Sequence, residues 1–201
     1  MKIIELILDE ENEDNGISAI SLVENPAIEE NWVALKSDEV KLAEIDKEKR
    51  LLLGAALTPN KPIFRKSQDG QDDYYIFFSK DTVRKASQLF FKKGNQNNAT
   101  LEHNVDLEGL TVVESWIVED SKTDKSALYG MELPEGTWAV SMKVNSDEVW
   151  NEYVKKGKVK GFSIEAFFTD KMERPKDKTI KEEAEASALV EQISKLLENE
   201  A

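Results

Sequence analysis

The 201-residue sequence has no cysteine and only one histidine, His103. Without thiols the chain can form neither disulfide bonds nor thiolate metal sites, and one imidazole leaves only carboxylate-rich sites for a hard cation. No regularly spaced acidic loop of that kind is present. We therefore expect no metal and no other cofactor, and any nucleophilic chemistry must use serine, threonine, lysine or a carboxylate.

Long apolar runs are also missing from the sequence. No segment approaches the length of a membrane-spanning helix. The N-terminal stretch 1–10 contains acidic residues within its apolar part and lacks a small-residue cleavage site, so it does not resemble a signal peptide. These features predict a soluble globular protein that stays in the compartment where it is made or is carried elsewhere by a partner.

Basic residues are too few to balance the acidic ones, because 40 aspartates and glutamates oppose 27 lysines and arginines. The resulting net charge of −13 disfavours binding to nucleic acid or to an anionic membrane. We expect neither as a partner.

Short strand-like runs dominate the apolar part of the chain, which at 40% of the residues is enough for a core. They lie at 2–8, 17–23, 32–35, 40–45, 50–57, 63–64, 74–78, 99–104, 110–118, 137–144 and 159–168. The polar turn after the first run predicts an N-terminal hairpin between the first two. The turn at Gly109 similarly predicts antiparallel pairing of the runs 99–104 and 110–118.

Two helices are predicted between the strands, each with a serine as its N-cap. Ser79 precedes apolar residues at helical spacing that continue to Gly94, and Ser146 precedes a second such pattern from Asp147 to about Lys156. From residue 169 the composition changes to lysine, glutamate and alanine. We therefore divide the chain into a domain at 1–168 and a charged linker with an amphipathic helical tail at 169–201.

His103 and Ser163 are the candidate catalytic pair. A hydroxyl is a poor nucleophile at neutral pH until a base removes its proton, and histidine is suited to that task. Period-2 alternation places Ser163 and Glu165 on one face of the last strand, opposite Phe162 and Ile164. Residue types alone leave a second interpretation open, in which His103 is an ordinary strand-end or loop residue and Ser163 a hydrogen-bonding residue on the wet side of a half-buried strand.

Five blocks of sequence, in one order, carry a resemblance to a known family. They are GISAISLVENPA at 16–27, LEHN at 101–104, VVESWIVED at 112–120, PEGTWAVSMKV at 134–144, and VW at 149–150 with GFSIE at 161–165. Together they span most of residues 16–168. The chain resembles the XkdF-like branch of the tailed-phage prohead (capsid maturation) proteases, which are serine peptidases related to herpesvirus assemblin.

The resemblance implies an α+β fold in which a small, distorted, mainly antiparallel β-barrel is flanked by helices. It also implies that His103 is the general base and Ser163 the nucleophile of a serine endopeptidase. Such an enzyme would trim phage scaffold, major capsid protein and itself inside the procapsid, in the bacterial host cytoplasm, and would work as a homodimer or higher oligomer. The alternative is a catalytically inactive capsid-assembly or scaffold-associated protein with the same fold.

The third catalytic residue is open. The related prohead proteases carry an acid on a strand resembling Glu-Val-Ser-Leu-Val, but the comparable segment of this chain has Ala19 at that place. Our first choice is Glu114, because it lies on the strand after His103, where an antiparallel neighbour could orient the imidazole. Asp106 and Glu165 are the alternatives.

Overall fold

The computed structural model describes residues 2–9, 12, 14–26, 33–35, 49–65 and 74–170. They form twelve strands: β1 Lys2–Ile7, β2 Gly16–Val23, β3 Val33–Leu35, β4 Leu51–Leu57, β5 Ile63–Arg65, β6 Tyr74–Phe78, β7 Ala99–Leu101, β8 Val105–Leu107, β9 Leu110–Ile117, β10 Trp138–Val144, β11 Gly161–Phe167 and β12 Thr169–Asp170. Helix α1 spans Lys80–Lys92, and α2, Asp147–Val149, continues as a π-helical turn over Trp150–Val154. Short 3₁₀ turns lie at Asn95–Asn97 and Lys125–Tyr129.

The strands form three four-stranded sheets. The first sheet has the order β12-β1-β6-β5, the second β3-β4-β10-β9, and the third β11-β2-β7-β8. Two pairs, β1 with β6 and β2 with β7, are parallel, whereas the pairs of the second sheet and the outer pairs of the third are antiparallel. The fold is therefore mostly β with two short helices, which is compatible with the α+β class.

The expected β-barrel is not found, because none of the three sheets closes on itself within the described residues. Closure requires hydrogen bonds between the first and last strands of a sheet. β11, at the edge of the third sheet, lies beside β4 of the second, but the two belong to separate ladders. The strands therefore form three separate sheets rather than one closed sheet.

Two expected strand pairings are wrong. The predicted N-terminal hairpin does not form, because β1 pairs with β6 while β2 lies between β11 and β7 in another sheet. β7 and β9 are likewise in different sheets, because β8 follows β7 as its antiparallel partner and β9 pairs with β10. β2 is buried along its length except at Ser18, so burial favours an interior place with a neighbour on each side.

The core lies between the sheets and is covered by α1, which packs against β2 and β10. Phe90 of the helix meets Trp138 of β10 with ring centroids 5.3 Å apart, and both side chains are fully buried. Both serine caps are confirmed, since Ser79 Oγ accepts from the Thr82 N–H at 3.3 Å and Ser146 Oγ from the Val149 N–H at 3.3 Å.

The described residues up to Thr169 form one compact unit by their internal contacts. The predicted strand at 40–45 and the predicted tail helix lie outside the described residues. None of the helices described is both long enough and apolar enough to cross a membrane.

Candidate active site

The third sheet aligns four polar residues across its strands. Ser163 of β11 is opposite Ser21 of β2, Ser21 is beside Thr100 of β7, and Thr100 is opposite Asp106 of β8. Cross-strand partners project from the same face of a sheet. The nucleophile candidate therefore stands at one end of a polar row that leads toward the histidine.

His103 lies in the connection between β7 and β8 rather than in a strand. The Asn104 N–H donates to the Leu101 carbonyl at 3.0 Å, closing the turn, and Glu102 and His103 have φ angles of 50° and 59°. L-residues other than glycine occupy this left-handed region at a cost of about 1–2 kcal/mol each. Two adjacent residues in this conformation require compensating interactions from their surroundings.

The turn is held by hydrogen bonds from neighbouring backbone and side chains. The Glu102 N–H donates to the Leu22 carbonyl at 3.0 Å, and the Glu102 carboxylate accepts from the Glu24 N–H at 2.6 Å. The His103 N–H donates to Ser21 Oγ at 3.0 Å, and Asn104 Nδ2 donates to the Glu102 carbonyl at 2.7 Å. β2 and its extension therefore fix the histidine backbone.

Glu165 is the acid that the fold brings to His103. His103 Nδ1 lies 3.6 Å from Glu165 Oε1, and the two side chains are 42% and 31% exposed. The same carboxylate oxygen accepts a hydrogen bond from Thr100 Oγ1. Ser18, the extra residue at a β-bulge, donates to the Glu165 carbonyl at 3.1 Å, so both ends of Glu165 are tied to neighbouring strands.

Glu114 is not brought to His103, because it lies on β9 in the second sheet. Its carboxylate accepts from Lys125 Nζ and from Ser141 Oγ, each at 2.5 Å. Hydrogen bonds from these two residues, together with the positive charge of Lys125, hold the pKa of Glu114 below its ordinary value despite partial burial. The strand pairing that made Glu114 the first choice is the pairing that the fold does not form.

Asp106 lies on the exposed edge strand β8, across from Thr100. Of the three acids considered from the sequence, Glu165 is the one that approaches the imidazole among the described residues. No group of three or more acidic or histidine side chains in those residues is placed to hold a metal ion.

Ser163 is half-buried on β11, two residues before Glu165 on the same face. A strand rises about 3.3 Å per residue, which places the two α-carbons about 6–7 Å apart. Within the described residues the Ser163 hydroxyl makes no hydrogen bond to the imidazole. Catalytic hydrogen bonds are often long or misaligned without substrate, so the arrangement brings the groups to one face but leaves the final contact unformed.

The orientation of His103 decides which of its nitrogens can act as a base. Glu165 stands at Nδ1, where a carboxylate favours the tautomer that carries its proton on that nitrogen. Nε2 is then the nitrogen that can take a proton from a hydroxyl. The geometry is suited to acyl transfer by a serine.

Ser21 and Thr100 were missed in reasoning from the sequence. Both are polar residues in short, mostly apolar strands, and both are buried. Buried hydroxyls need hydrogen-bond partners, so a serine inside the run GISAISLV was a usable signal. In the register of β11 and β2, Ala19 is the direct cross-strand partner of Glu165. Ala19 is also the position at which the sequence comparison with related prohead proteases expected an acid.

Comparison with known proteins identifies the family. A family model described as "Putative phage serine protease XkdF" matches residues 38–173, a range that contains His103, Ser163 and Glu165. A search of curated proteins found no match, and a search of solved structures found none. The match covers more than half of the sequence and agrees with the resemblance seen in the five blocks, so the chain belongs to the XkdF family of phage serine proteases.

Proposed function

We propose that the protein is a serine endopeptidase in which Ser163 is the nucleophile, His103 the general base and Glu165 the acid that orients it. The observation that carries this assignment is the 3.6 Å approach of His103 Nδ1 to Glu165 Oε1, on the strand that holds Ser163. Family membership supports proteolysis as the reaction.

The reaction follows from the roles of these groups. His103 Nε2 takes the proton from Ser163 as its oxygen attacks the scissile carbonyl, and the imidazolium returns that proton to the leaving amine. Water then attacks the acyl-enzyme with the same base. The Glu165 carboxylate stabilises the imidazolium through Nδ1.

The proposed substrates are the phage scaffold, the major capsid protein and the protease itself, cleaved inside the procapsid in the bacterial host cytoplasm. The resemblance to prohead proteases supports this setting. We further propose a homodimer or higher oligomer as the working form, with neither nucleic acid nor membrane as a partner. The net charge of −13 is consistent with the last point.

The alternative function is an inactive assembly protein with the same fold. The observation that favours it is the absence, within the described residues, of a hydrogen bond between the Ser163 hydroxyl and the imidazole. A decayed active site would keep the fold while losing this contact.

Self-processing by the purified full-length chain tests the two functions. We expect mass spectrometry to detect trimmed products from the wild-type chain, and a fluorophosphonate probe to label Ser163. Ser163→Ala and His103→Ala should abolish both signals. Ser121→Ala, in the turn after β9, is the matched control and should leave both unchanged.

The assembly function is supported instead if the wild-type chain is neither trimmed nor labelled, and cleaves neither scaffold nor capsid protein when co-expressed with them. Trimming that persists in Ser163→Ala would show that another residue is the nucleophile.

A further inference from the structure

Ser21 is a fully buried serine in the middle of β2, between the strand of the candidate nucleophile and the strand that leads to the histidine. Its hydroxyl accepts from the His103 N–H at 3.0 Å and donates to the Thr100 carbonyl at 3.4 Å. It lies outside the range 38–173 that the family model matches. The reaction proposed above uses neither of these two hydrogen bonds.

The position of these hydrogen bonds is informative. β2 and β7 pair in parallel up to Leu22 and Leu101, and the chain then enters the left-handed turn at Glu102 and His103. Once the chain turns, the backbone of β2 can no longer provide a carbonyl acceptor for the His103 N–H. The Ser21 hydroxyl takes the place of that partner and links the histidine backbone to the strand beside Ser163.

The consequence for the imidazole follows from the backbone. A side chain leaves its α-carbon in a direction set by φ and ψ, so holding His103 at a φ of 59° also holds the direction in which its ring projects. That direction brings Nδ1 to 3.6 Å from Glu165. If the backbone relaxed toward a negative φ, the ring would leave the face that it shares with Glu165 and Ser163.

We infer that Ser21 is the positioning residue of His103, because its buried hydroxyl holds the histidine in the left-handed conformation from which the imidazole faces Glu165. The catalytic consequence rests on the proposed peptidase function. The hydroxyl touches neither substrate nor reacting atoms, so its loss should reduce turnover rather than substrate binding.

Amide hydrogen exchange tests whether Ser21 holds the His103 backbone, and this measurement does not require activity. Because the chain has one histidine, selective ¹⁵N-histidine labelling gives a single backbone amide signal. Ser21→Ala should speed exchange of that amide about 10-fold or more, since the hydrogen bond that protects it is lost. Ser126→Ala is the matched control, because Ser126 is an equally buried serine in the 3₁₀ turn Lys125–Tyr129, bonded to Asp124.

Kinetics on a peptide that the wild-type chain cleaves test whether Ser21 supports turnover. Ser21→Ala should lower kcat about 10- to 100-fold while KM changes less than about twofold, since misplacement of a base by about 1 Å has effects of this size. Labelling of Ser163 by a fluorophosphonate should slow in parallel with kcat. Ser126→Ala should change neither rate.

A second pair of variants guards against misfolding of Ser21→Ala. In Ser21→Thr and Ser21→Val the new side chains have nearly the same shape and both suit a strand, but only threonine keeps the hydroxyl. We expect Ser21→Thr to retain amide protection and turnover, and Ser21→Val to lose both.

Each result has a definite meaning. Equal His103 amide exchange in the wild type and in Ser21→Ala, or equal behaviour of the threonine and valine variants, would overturn the inference. Faster exchange with unchanged kcat would overturn its catalytic half. A wild-type chain without Ser163-dependent hydrolysis would refute the proposed function instead, while the exchange measurement would still decide whether Ser21 holds the turn.

Discussion

Glu165 and Ala19 face each other across β11 and β2, and this register determines where a carboxylate can reach His103. Side chains of directly paired residues have their β-carbons about 5 Å apart, so an acid at either position would project into the same region. The acid that orients His103 can therefore be identified by substitutions at a few positions.

Exchange of the two candidate acids for glutamine distinguishes them. We expect Glu165→Gln to lower kcat at least about 10-fold with little change in KM, because the neutral amide no longer stabilises the imidazolium. Glu114→Gln, in the second sheet, should leave kcat within about twofold, since its partners are Lys125 and Ser141. Peptide hydrolysis measures both, and the reverse pattern would make Glu114 the third residue.

Moving the carboxylate across the strands is a stricter test of the same assignment. The double variant Glu165→Ala with Ala19→Glu should recover part of the activity lost in Glu165→Ala, because the new acid starts from the directly paired position. Crystallography or NMR of the double variant should show the carboxylate near His103 Nδ1. Failure to recover activity in a variant with that geometry would count against an orienting role for the acid.

Glu114 should instead contribute to stability in a pH-dependent way. Hydrogen bonds from Lys125 and Ser141 lower the pKa of Glu114 in the folded chain, and a lowered carboxylate pKa stabilises the fold above its unfolded pKa. That contribution is lost as pH falls through the folded pKa. The side chain is 45% exposed, so the effect should stay below about 1 kcal/mol.

Chemical denaturation of the wild type and of Glu114→Gln from pH 7 to pH 3 measures this contribution. The difference in free energy of unfolding should be largest near neutral pH and should shrink below about pH 4, where the carboxyl of the unfolded chain is protonated. A difference that grows toward low pH has the wrong sign and would contradict the role of the Lys125 and Ser141 contacts.

At the scale of the elements, helix α1 covers β2 and β10, and its first turn is stabilised by the N-cap Ser79. Ser79→Ala removes the acceptor of the Thr82 N–H and should lower the free energy of unfolding by about 1 kcal/mol. Ser79→Asp keeps an acceptor there and should be close to the wild type. Urea unfolding with an unchanged m-value checks both, and equal loss in the two variants would mean that the cap contributes little.

At the scale of the whole molecule, one core joins the second and third sheets through α1. Phe90 is fully buried against Trp138 of β10, and the same helix packs on β2. Phe90→Ala should therefore destabilise both sheets together, by about 3–5 kcal/mol. Tryptophan fluorescence and the ring signals of His103 should report one shared transition, whereas separate transitions would show that the sheets unfold independently.

Strand and helix positions could be predicted because they depend on patterns within a few neighbouring residues. The periodicity after Ser79 predicted α1, and the apolar runs predicted β2, β6 and β10 within one or two residues. The partners of those strands could not be read in this way. Pairings such as β1 with β6 join distant segments, and they depend on which apolar faces pack together in the core.

The sequence by itself determined the family, the likeness of Ser163 and His103 to a catalytic pair, and the local elements that carry them. All three depend only on residue patterns within short segments of the chain. Only the tertiary structure decided that Glu165 faces the imidazole while Glu114 lies in another sheet. It also decided that Ser21 and Thr100 hold the two groups in place. The physical reason is that strand order and register set these neighbours, and both result from packing the whole core.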